Sequence, residues 1–270
     1  MTAEITAASI AAIDVHGHYG TYVRQGNSEL LNRLMTGDAA EVVRRAKAVQ
    51  IEWTIVSPLS ALLPRFQADA VAGNHEAAHI VPQHPGLRQY VVIDPRRLET
   101  YRQADDLLQQ PHCLGIKIHP EEHGYPIREH AQAIFEFAAK HRAVILTHTS
   151  EQNSEAHEFI PWANRFPEVR IILAHIGCGW DNDVTHQVRA IQQSVHGNVF
   201  ADTSSARSIL PGLIEWAVSE IGVDRVLFGT DTPLYSTAMH RARINQADLS
   251  LDQKRQILRE NALTLFRIQP

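Results

Sequence analysis

The chain has 270 residues, of which 44% are hydrophobic and 20% are charged, a composition typical of a globular protein with ample material for a core. Its net charge of −5 offers no basic patch to nucleic acid or an anionic membrane surface, and no stretch approaches the roughly 20 apolar residues that cross a bilayer. With two cysteines and no signal-peptide pattern at its start, the chain is expected to be cytoplasmic.

Short β-branched runs alternate with amphipathic stretches along the whole chain. One stretch places Ala131, Ile134, Phe135 and Ala138 at helical spacing, which predicts a stripe facing the core. The strand candidates are residues 11–16, 53–58, 88–94, 113–119, 143–148, 169–175, 199–204 and 225–231. The helix candidates are residues 38–49, 67–83, 98–109, 129–141, 155–166, 183–195 and 209–221.

This alternation predicts an α/β fold, either a doubly wound sheet or a barrel. Polar residues end many different strands, as in a barrel, whereas an open sheet gathers its ligands at one switch point. No Gly-x-Gly-x-x-Gly motif follows a strand, so a dinucleotide site has no support. Because eight βα units fill about the 250 residues typical of this fold, the sequence predicts a single (β/α)8 TIM barrel, with residues 1–270 as one domain.

The first strand ends in Asp14-Val15-His16-Gly17-His18. Side chains alternate along a strand, so His16 and His18 point to the same face and can reach one metal ion together. Asp14 shares this face one step deeper, where its carboxylate could orient a ligand imidazole.

Later strands end in further candidates for the same site. In a barrel the carboxyl ends of all strands meet at one mouth, so residues far apart in sequence become neighbours. His148 ends the fifth strand and Asp231 the eighth, and with the first strand they predict a set of three imidazoles and one carboxylate. Such a set suits Zn²⁺ or another divalent ion. His175 ends the sixth strand, and Lys117 and His119 end the fourth.

Six motifs in the same order resemble the amidohydrolase superfamily, and most closely its amidohydrolase-related branch of hydrolases and decarboxylases. They are Ile13–His18, Gly115–Pro120, Leu146–His148, Leu173–Gly177, Phe228–Asp231 and the closing Ile257-x-x-x-Asn261-Ala262-x-x-Leu265-Phe266. The resemblance implies a (β/α)8 barrel with metal on His16, His18, His148 and Asp231. It also implies that His175 is a catalytic acid or base, or a ligand of a second metal.

The number of metal ions depends on Lys117. In two-metal members of the superfamily a carboxylated lysine from the fourth strand bridges the ions, and Lys117 stands where that lysine could be. An unmodified Lys117 ammonium would instead bind a substrate carboxylate or stabilise an oxyanion. We expect one tightly held ion, with Lys117 and His175 as the candidates for a second.

Substrate contacts are predicted from the strand ends and loops. His119 shares the face of Lys117, so we assign it to substrate contact, with capping of the strand end as the alternative. Arg207 would suit a substrate carboxylate, and Trp180 lies in a loop near the mouth. Asp202, Ser204 and Tyr235 are further loop candidates, and the default role of Asp202 is to bind backbone amides. The other eleven histidines are interpreted as structural.

The leading hypothesis is a metal-dependent hydrolase of a small ester, lactone or amide. Metal-activated water would attack the carbonyl, Lys117 or His175 would stabilise the oxyanion, and Asp231 would move the proton. The alternative is non-oxidative decarboxylation of a carboxylated aromatic or muconate-like acid, and the compact chain favours the hydrolase mildly. A non-catalytic ligand-binding barrel is the third interpretation. The expected partner is a small-molecule substrate, and a homodimer is the assembly considered.

Overall fold

Eight parallel strands form the barrel in a computed structural model that describes residues 6–269. Each strand pairs with the next in chain order. The strands are β1 (Ala12–Tyr19), β2 (Ile51–Pro58), β3 (Leu87–Val92), β4 (Cys113–Ile118), β5 (Val144–Thr147), β6 (Arg170–Leu173), β7 (Val199–Asp202) and β8 (Val226–Leu227). The backbone N–H of Val15 donates to Phe228 O at 2.9 Å, which joins β1 to the end of β8 and closes the cylinder. The predicted (β/α)8 barrel is therefore confirmed.

Helices follow the strands on the outside of the barrel. They are α1 (Glu29–Leu34), α2 (Ala39–Lys47), α3 (Ala70–Ile80), α4 (Leu98–Leu107), α5 (Pro120–His123), α6 (Ile127–His141), α7 (Ile160–Arg165), α8 (His186–Gln192), α9 (Leu213–Ile221), α10 (Thr237–Asn245), α11 (Leu251–Arg255) and α12 (Asn261–Phe266). The seven predicted helices correspond to α2, α3, α4, α6, α7, α8 and α9. Helices α1, α5 and α10 to α12 were not predicted from the sequence. Within residues 6–269, no helix has both the length and the apolar content to cross a bilayer.

The barrel has an inner and an outer apolar layer. Inside the cylinder, side chains such as Ile13, Val15 and Leu146 pack against one another and are fully buried. Between the sheet and the helices lies a larger layer, to which α6 contributes the predicted stripe of Ala131, Ile134, Phe135 and Ala138. Both faces of the strands are thus covered, which explains their almost continuous apolar sequence.

The close approach of α3 to the loop after β2 leads to a stability prediction. A Cβ on Gly73 would lie 2.6 Å from the Cβ of Ala61 and 2.8 Å from its backbone N. Gly73→Ala should therefore lower the free energy of unfolding by about 1–3 kcal/mol, although alanine favours helix over glycine by about 1 kcal/mol. Ala72→Gly, at an exposed position of the same helix, measures helix propensity alone. Denaturant unfolding that shows Gly73→Ala more stable than the wild type would contradict the packing argument.

Candidate metal centre

Three side chains at the carboxyl ends of β1 and β8 form a compact donor group. Nε2 of His18 lies 3.1 Å from Oδ1 of Asp231, and Nε2 of His16 lies 3.6 Å from the same oxygen. All three residues are buried, and their donor atoms lie within 4.8 Å of one another. These are two imidazoles and a carboxylate converging on one point, the donor set of a divalent cation.

The outer ring nitrogens of both histidines are already engaged. Nδ1 of His16 lies 2.9 Å from Oδ2 of Asp202. The register of β1 and β2 pairs His18 with Ser57, whose carbonyl oxygen lies 3.0 Å from Nδ1 of His18. Acceptors at Nδ1 leave the Nε2 lone pairs directed at the common point, as is usual for metal-ligating histidines. The residues therefore fit a divalent ion in their hydrogen bonding as well as in their chemistry.

Asp231 is held in place by the backbone. Its φ angle of 54° is left-handed, an uncommon conformation for a residue other than glycine, and its N–H donates to His16 O at 2.8 Å. Burial alone would raise the pKa of its carboxyl group. The nearby rings of His18, His16 and His175 outweigh that cost and hold the pKa below its ordinary value. Asp231 is therefore a carboxylate at neutral pH.

Asp14 has a different role from the one the sequence suggests. It does not contact an imidazole. Its carboxylate accepts hydrogen bonds from Thr230 N at 3.0 Å, from Thr230 Oγ1 at 2.6 Å and from His16 N at 3.1 Å. Complete burial raises the pKa of Asp14 to about 8. Asp14 thus supports the backbone that carries Asp231, and Asp202 orients the imidazole instead.

His148, the fourth predicted ligand, lies outside the donor group, next to His175. Its Nδ1 is 3.1 Å from Nε2 of His175, and its Nε2 is 2.9 Å from Oε1 of Glu151. The hydrogen bond from His148 lowers the pKa of Glu151. His148 lines the same pocket, but within residues 6–269 it belongs to no compact group of donor atoms with His16, His18 and Asp231.

His175 follows β6 in a left-handed conformation with φ 73°. Its ring centroid is 4.9 Å from that of His16, and its Nδ1 lies 2.8 Å from Oγ of Ser204. Burial holds the pKa of His175 well below its ordinary value. His175, His16 and Asp202 form a second group of donor atoms within 4.8 Å of one another.

Lys117 lies fully buried beside the donor group. Its Nζ is 3.0 Å from Nε2 of His16, and burial lowers its pKa to about 8. Among the described residues, no carboxylate oxygen lies within 4 Å of this ammonium group. Lys117 is thus a cation without a direct counter-ion at the floor of the pocket.

The donor group lies in a cavity of about 210 Å³ at the mouth of the barrel. Leu59, Leu62 and Leu63 form an apolar wall of this cavity, and Arg24 and Tyr235 also contribute to the lining. The pocket therefore combines charged and polar groups with apolar side chains, as small-molecule sites commonly do.

Of the three residues predicted to contact substrate, His119 lies in the pocket, whereas Trp180 and Arg207 lie outside it. His119 lines the pocket, where its ring stacks on His148 at 4.3 Å, and its Nδ1 also accepts a hydrogen bond from Glu122 N at 3.3 Å. His119 therefore caps the first turn of α5, and its contact with substrate stays a prediction. Trp180 is 58% exposed and donates to Glu155, and Arg207 is exposed and donates to Asn182. Neither Trp180 nor Arg207 is part of the pocket lining.

The roles of several residues near the site could not be predicted from the sequence. Asp202 was expected to bind backbone amides and does so, but it also binds the ring of His16. Glu151 follows His148 by three residues, a spacing that could have indicated a partner for that ring. The apolar wall comes from the segment after β2, which shows no helical or strand periodicity in the sequence.

Comparisons with known proteins agree with this architecture. The amidohydrolase family model matches residues 13–268. Comparison with curated protein sequences yields no match. Among solved structures, 2,6-dihydroxybenzoate decarboxylase from Rhizobium aligns with a TM-score of 0.76 and 14% identity, covering 96% of this chain and 99% of the other.

Two further solved structures are similar to the chain. A dihydroxybenzoic acid decarboxylase from Polaromonas sp. JS666, with bound manganese and the inhibitor 2-nitroresorcinol, has a TM-score of 0.73 and 16% identity over 96% of this chain and 97% of the other. A probable 2-pyrone-4,6-dicarboxylic acid hydrolase from Acinetobacter baumannii has a TM-score of 0.67 and 12% identity over 96% and 100%. At these identities the likeness shows the fold. The family match and the histidine–aspartate groups support a divalent metal. The predicted superfamily is confirmed, and the chain belongs to the amidohydrolase family.

Proposed function

We propose that this protein is a metal-dependent, non-oxidative decarboxylase of a small hydroxylated aromatic acid. The observation that carries the proposal is the pocket itself, in which His16, His18 and Asp231 lie beside a buried cation and face an apolar wall. The two decarboxylases similar to this chain, which act on dihydroxybenzoic acids, support this reaction over the hydrolysis that the sequence analysis placed first.

His16, His18 and Asp231 would hold one divalent ion, Mn²⁺ or Zn²⁺, with His148 as the proposed fourth ligand. When bound, the ion would supply a Lewis acid that polarises the substrate carboxylate and its neighbouring oxygen. Lys117, unmodified, would contribute positive charge at the same end of the substrate. Leu59, Leu62 and Leu63 would cover the ring face and exclude water from it.

His175 is the proposed proton carrier. Its Nε2 would take the proton of the ring hydroxyl and deliver it to the carbon that bears the carboxylate. The carbon–carbon bond then breaks, CO₂ leaves, and the electron pair of that bond restores the aromatic ring as a phenolate. Solvent protonates the phenolate, so one proton replaces one CO₂ and no oxidant is required. Asp231, a carboxylate beside His175, would stabilise the imidazolium that forms in between.

Hydrolysis of a small ester, lactone or amide is the second candidate. It is favoured by the similar pyrone dicarboxylic acid hydrolase and by the neutral, buried His175, which could equally act as a base towards water. A ligand-binding barrel without catalysis is the third candidate.

A substrate panel separates the three candidates. Protein loaded with Mn²⁺ or Zn²⁺ is incubated with 2,6-dihydroxybenzoate, with benzoate, which lacks the ring hydroxyl, and with 2-pyrone-4,6-dicarboxylate. We expect CO₂ release from the dihydroxy acid alone, abolished in His16→Ala. Ring opening of the pyrone without CO₂ would replace the proposal by hydrolysis. An inert protein that still binds its metal and these acids would favour the third candidate.

A further inference from the structure

Asp202 joins three strands of the barrel at the candidate site. It ends β7 and is fully buried. Its Oδ1 accepts the backbone N–H groups of His175 and Ser204, each at 3.0 Å, and its Oδ2 lies 2.9 Å from Nδ1 of His16. One carboxylate thus binds both the backbone of His175 and the ring of His16.

Ser204 lies between the same two histidines. Its hydroxyl is fully buried and makes a short hydrogen bond to Oδ1 of Asp202. The same Oγ lies 2.8 Å from Nδ1 of His175 and 3.1 Å from Nδ1 of His16. Three polar groups therefore share one hydroxyl, which has a single proton to donate.

The chemistry of these groups decides where that proton goes. An ionised carboxylate can only accept, so the hydroxyl proton of Ser204 must point to Asp202. The serine oxygen then has only lone pairs to offer, and the imidazole nitrogen that faces it must carry a hydrogen. When one ring nitrogen of a neutral imidazole carries the hydrogen, the other nitrogen can only accept a hydrogen bond.

We propose that Asp202 and Ser204 form a positioning pair that holds His16 and His175 in the Nδ1–H tautomer. Asp202 sets the tautomer of His16 directly, and Ser204 sets that of His175. Both rings then carry an unprotonated Nε2. That of His16 faces the metal position, and that of His175 lies 3.1 Å from Nδ1 of His148, which must therefore be the donor in this contact. The use of the His175 lone pair as a proton acceptor rests on the proposed function, whereas the tautomers can be measured without any substrate.

The tautomers are read by ring ¹⁵N–¹H correlation spectra of protein with labelled histidine. The protein carries one equivalent of Zn²⁺, which is diamagnetic, and the His175 signals are assigned by their loss in His175→Gln. In the wild type we expect a protonated Nδ1 and an unprotonated Nε2 at His175. In Ser204→Ala we expect this pattern to be lost at His175 and retained at His16. Ser154→Ala is the matched control, since the Ser154 hydroxyl is buried without a hydrogen-bond partner among the described residues.

Two results would overturn the proposal. One is an Nε2–H tautomer of His175 in the wild type, and the other is an unchanged His175 signature in a folded Ser204→Ala protein. Metal affinity gives an independent measure, because loss of the acceptor behind a metal-ligating histidine typically weakens binding about 10–100-fold. Asp202→Asn should therefore weaken Zn²⁺ binding within that range, and Ser204→Ala should leave it nearly unchanged. The reverse order would contradict the division of roles between the two residues. None of these results depends on which reaction the protein catalyses.

Discussion

His16→Ala and Asp231→Asn are each expected to remove the divalent ion and to reduce catalysis by about 10³-fold or more. The two residues supply two of the three donors that converge within 4.8 Å, so either substitution leaves only two of these donors. Metal polarisation contributes several kcal/mol to the transition state, and each 1.36 kcal/mol corresponds to about a tenfold change in rate. Metal content by elemental analysis and CO₂ release from 2,6-dihydroxybenzoate measure the two effects separately.

Matched controls come from exposed positions of the same residue types. His157→Ala and Asp252→Asn should retain both the metal and the activity, because these side chains lie at the surface. His148→Ala should weaken metal binding less than His16→Ala, since His148 lies outside the compact donor group of His16, His18 and Asp231. Full metal content in His16→Ala or Asp231→Asn would show that the ion binds at another site.

The barrel could be predicted from the sequence because its signal is repetitive. Most strands contain an apolar run that is buried, and each of the seven predicted helices buries side chains, so the alternation of strands and helices stays visible even where one element is misread. Helix α1 escaped prediction because none of its residues is buried, which leaves no stripe to detect. Helices α10 to α12 follow the last strand, beyond the alternation on which the prediction depended.

The site was predictable where the order of the strands decides it. His16 and His18 lie two residues apart near the end of β1, and Asp231 follows β8, which is hydrogen-bonded to β1, so their convergence follows from topology. The register shift between Asp14 and Gly17 could not be predicted from alternation, and it separates Asp14 from this group. The position of His148 could not be derived in this way, because its ring orientation depends on contacts with Glu151 and His175. Trp180 and Arg207 lie in loops, and loop shape is not encoded by periodicity. The same reason kept Asp202 and Ser204 from being recognised as partners of two imidazoles.

The buried ammonium of Lys117 leads to the second prediction of large effect. Lys117→Met should reduce CO₂ release from 2,6-dihydroxybenzoate by about 10²–10³-fold, the usual cost of losing one preorganised group that stabilises negative charge. The same substitution should raise the stability of the metal-free protein, by about 1–4 kcal/mol at neutral pH, because a methionine of similar volume needs no counter-ion. Activity lost while stability is gained is the result expected of a functional residue and not of a structural one.

The pH dependence of this stability gain provides a further check. Burial lowers the pKa of Lys117 to about 8, whereas the ordinary value is 10.5. The folded state therefore carries the cost of the buried charge in full below about pH 8, and the cost fades as the pH rises towards 10.5, since the unfolded chain binds more protons in that interval. The gain from Lys117→Met in denaturant unfolding should accordingly be largest at neutral pH and shrink above pH 8. Lys140→Met, at an exposed ion pair with Asp105, should change stability by less than about 0.5 kcal/mol throughout.

A destabilised Lys117→Met protein would show instead that the lysine is structurally required, for example as a carboxylated bridge between two ions. In that case the intact mass of the wild type would exceed the value expected from the sequence by one CO₂, and the metal content would approach two ions. We expect the unmodified mass and one ion, because the compact group of His16, His18 and Asp231 can hold a single ion without a bridging carbamate.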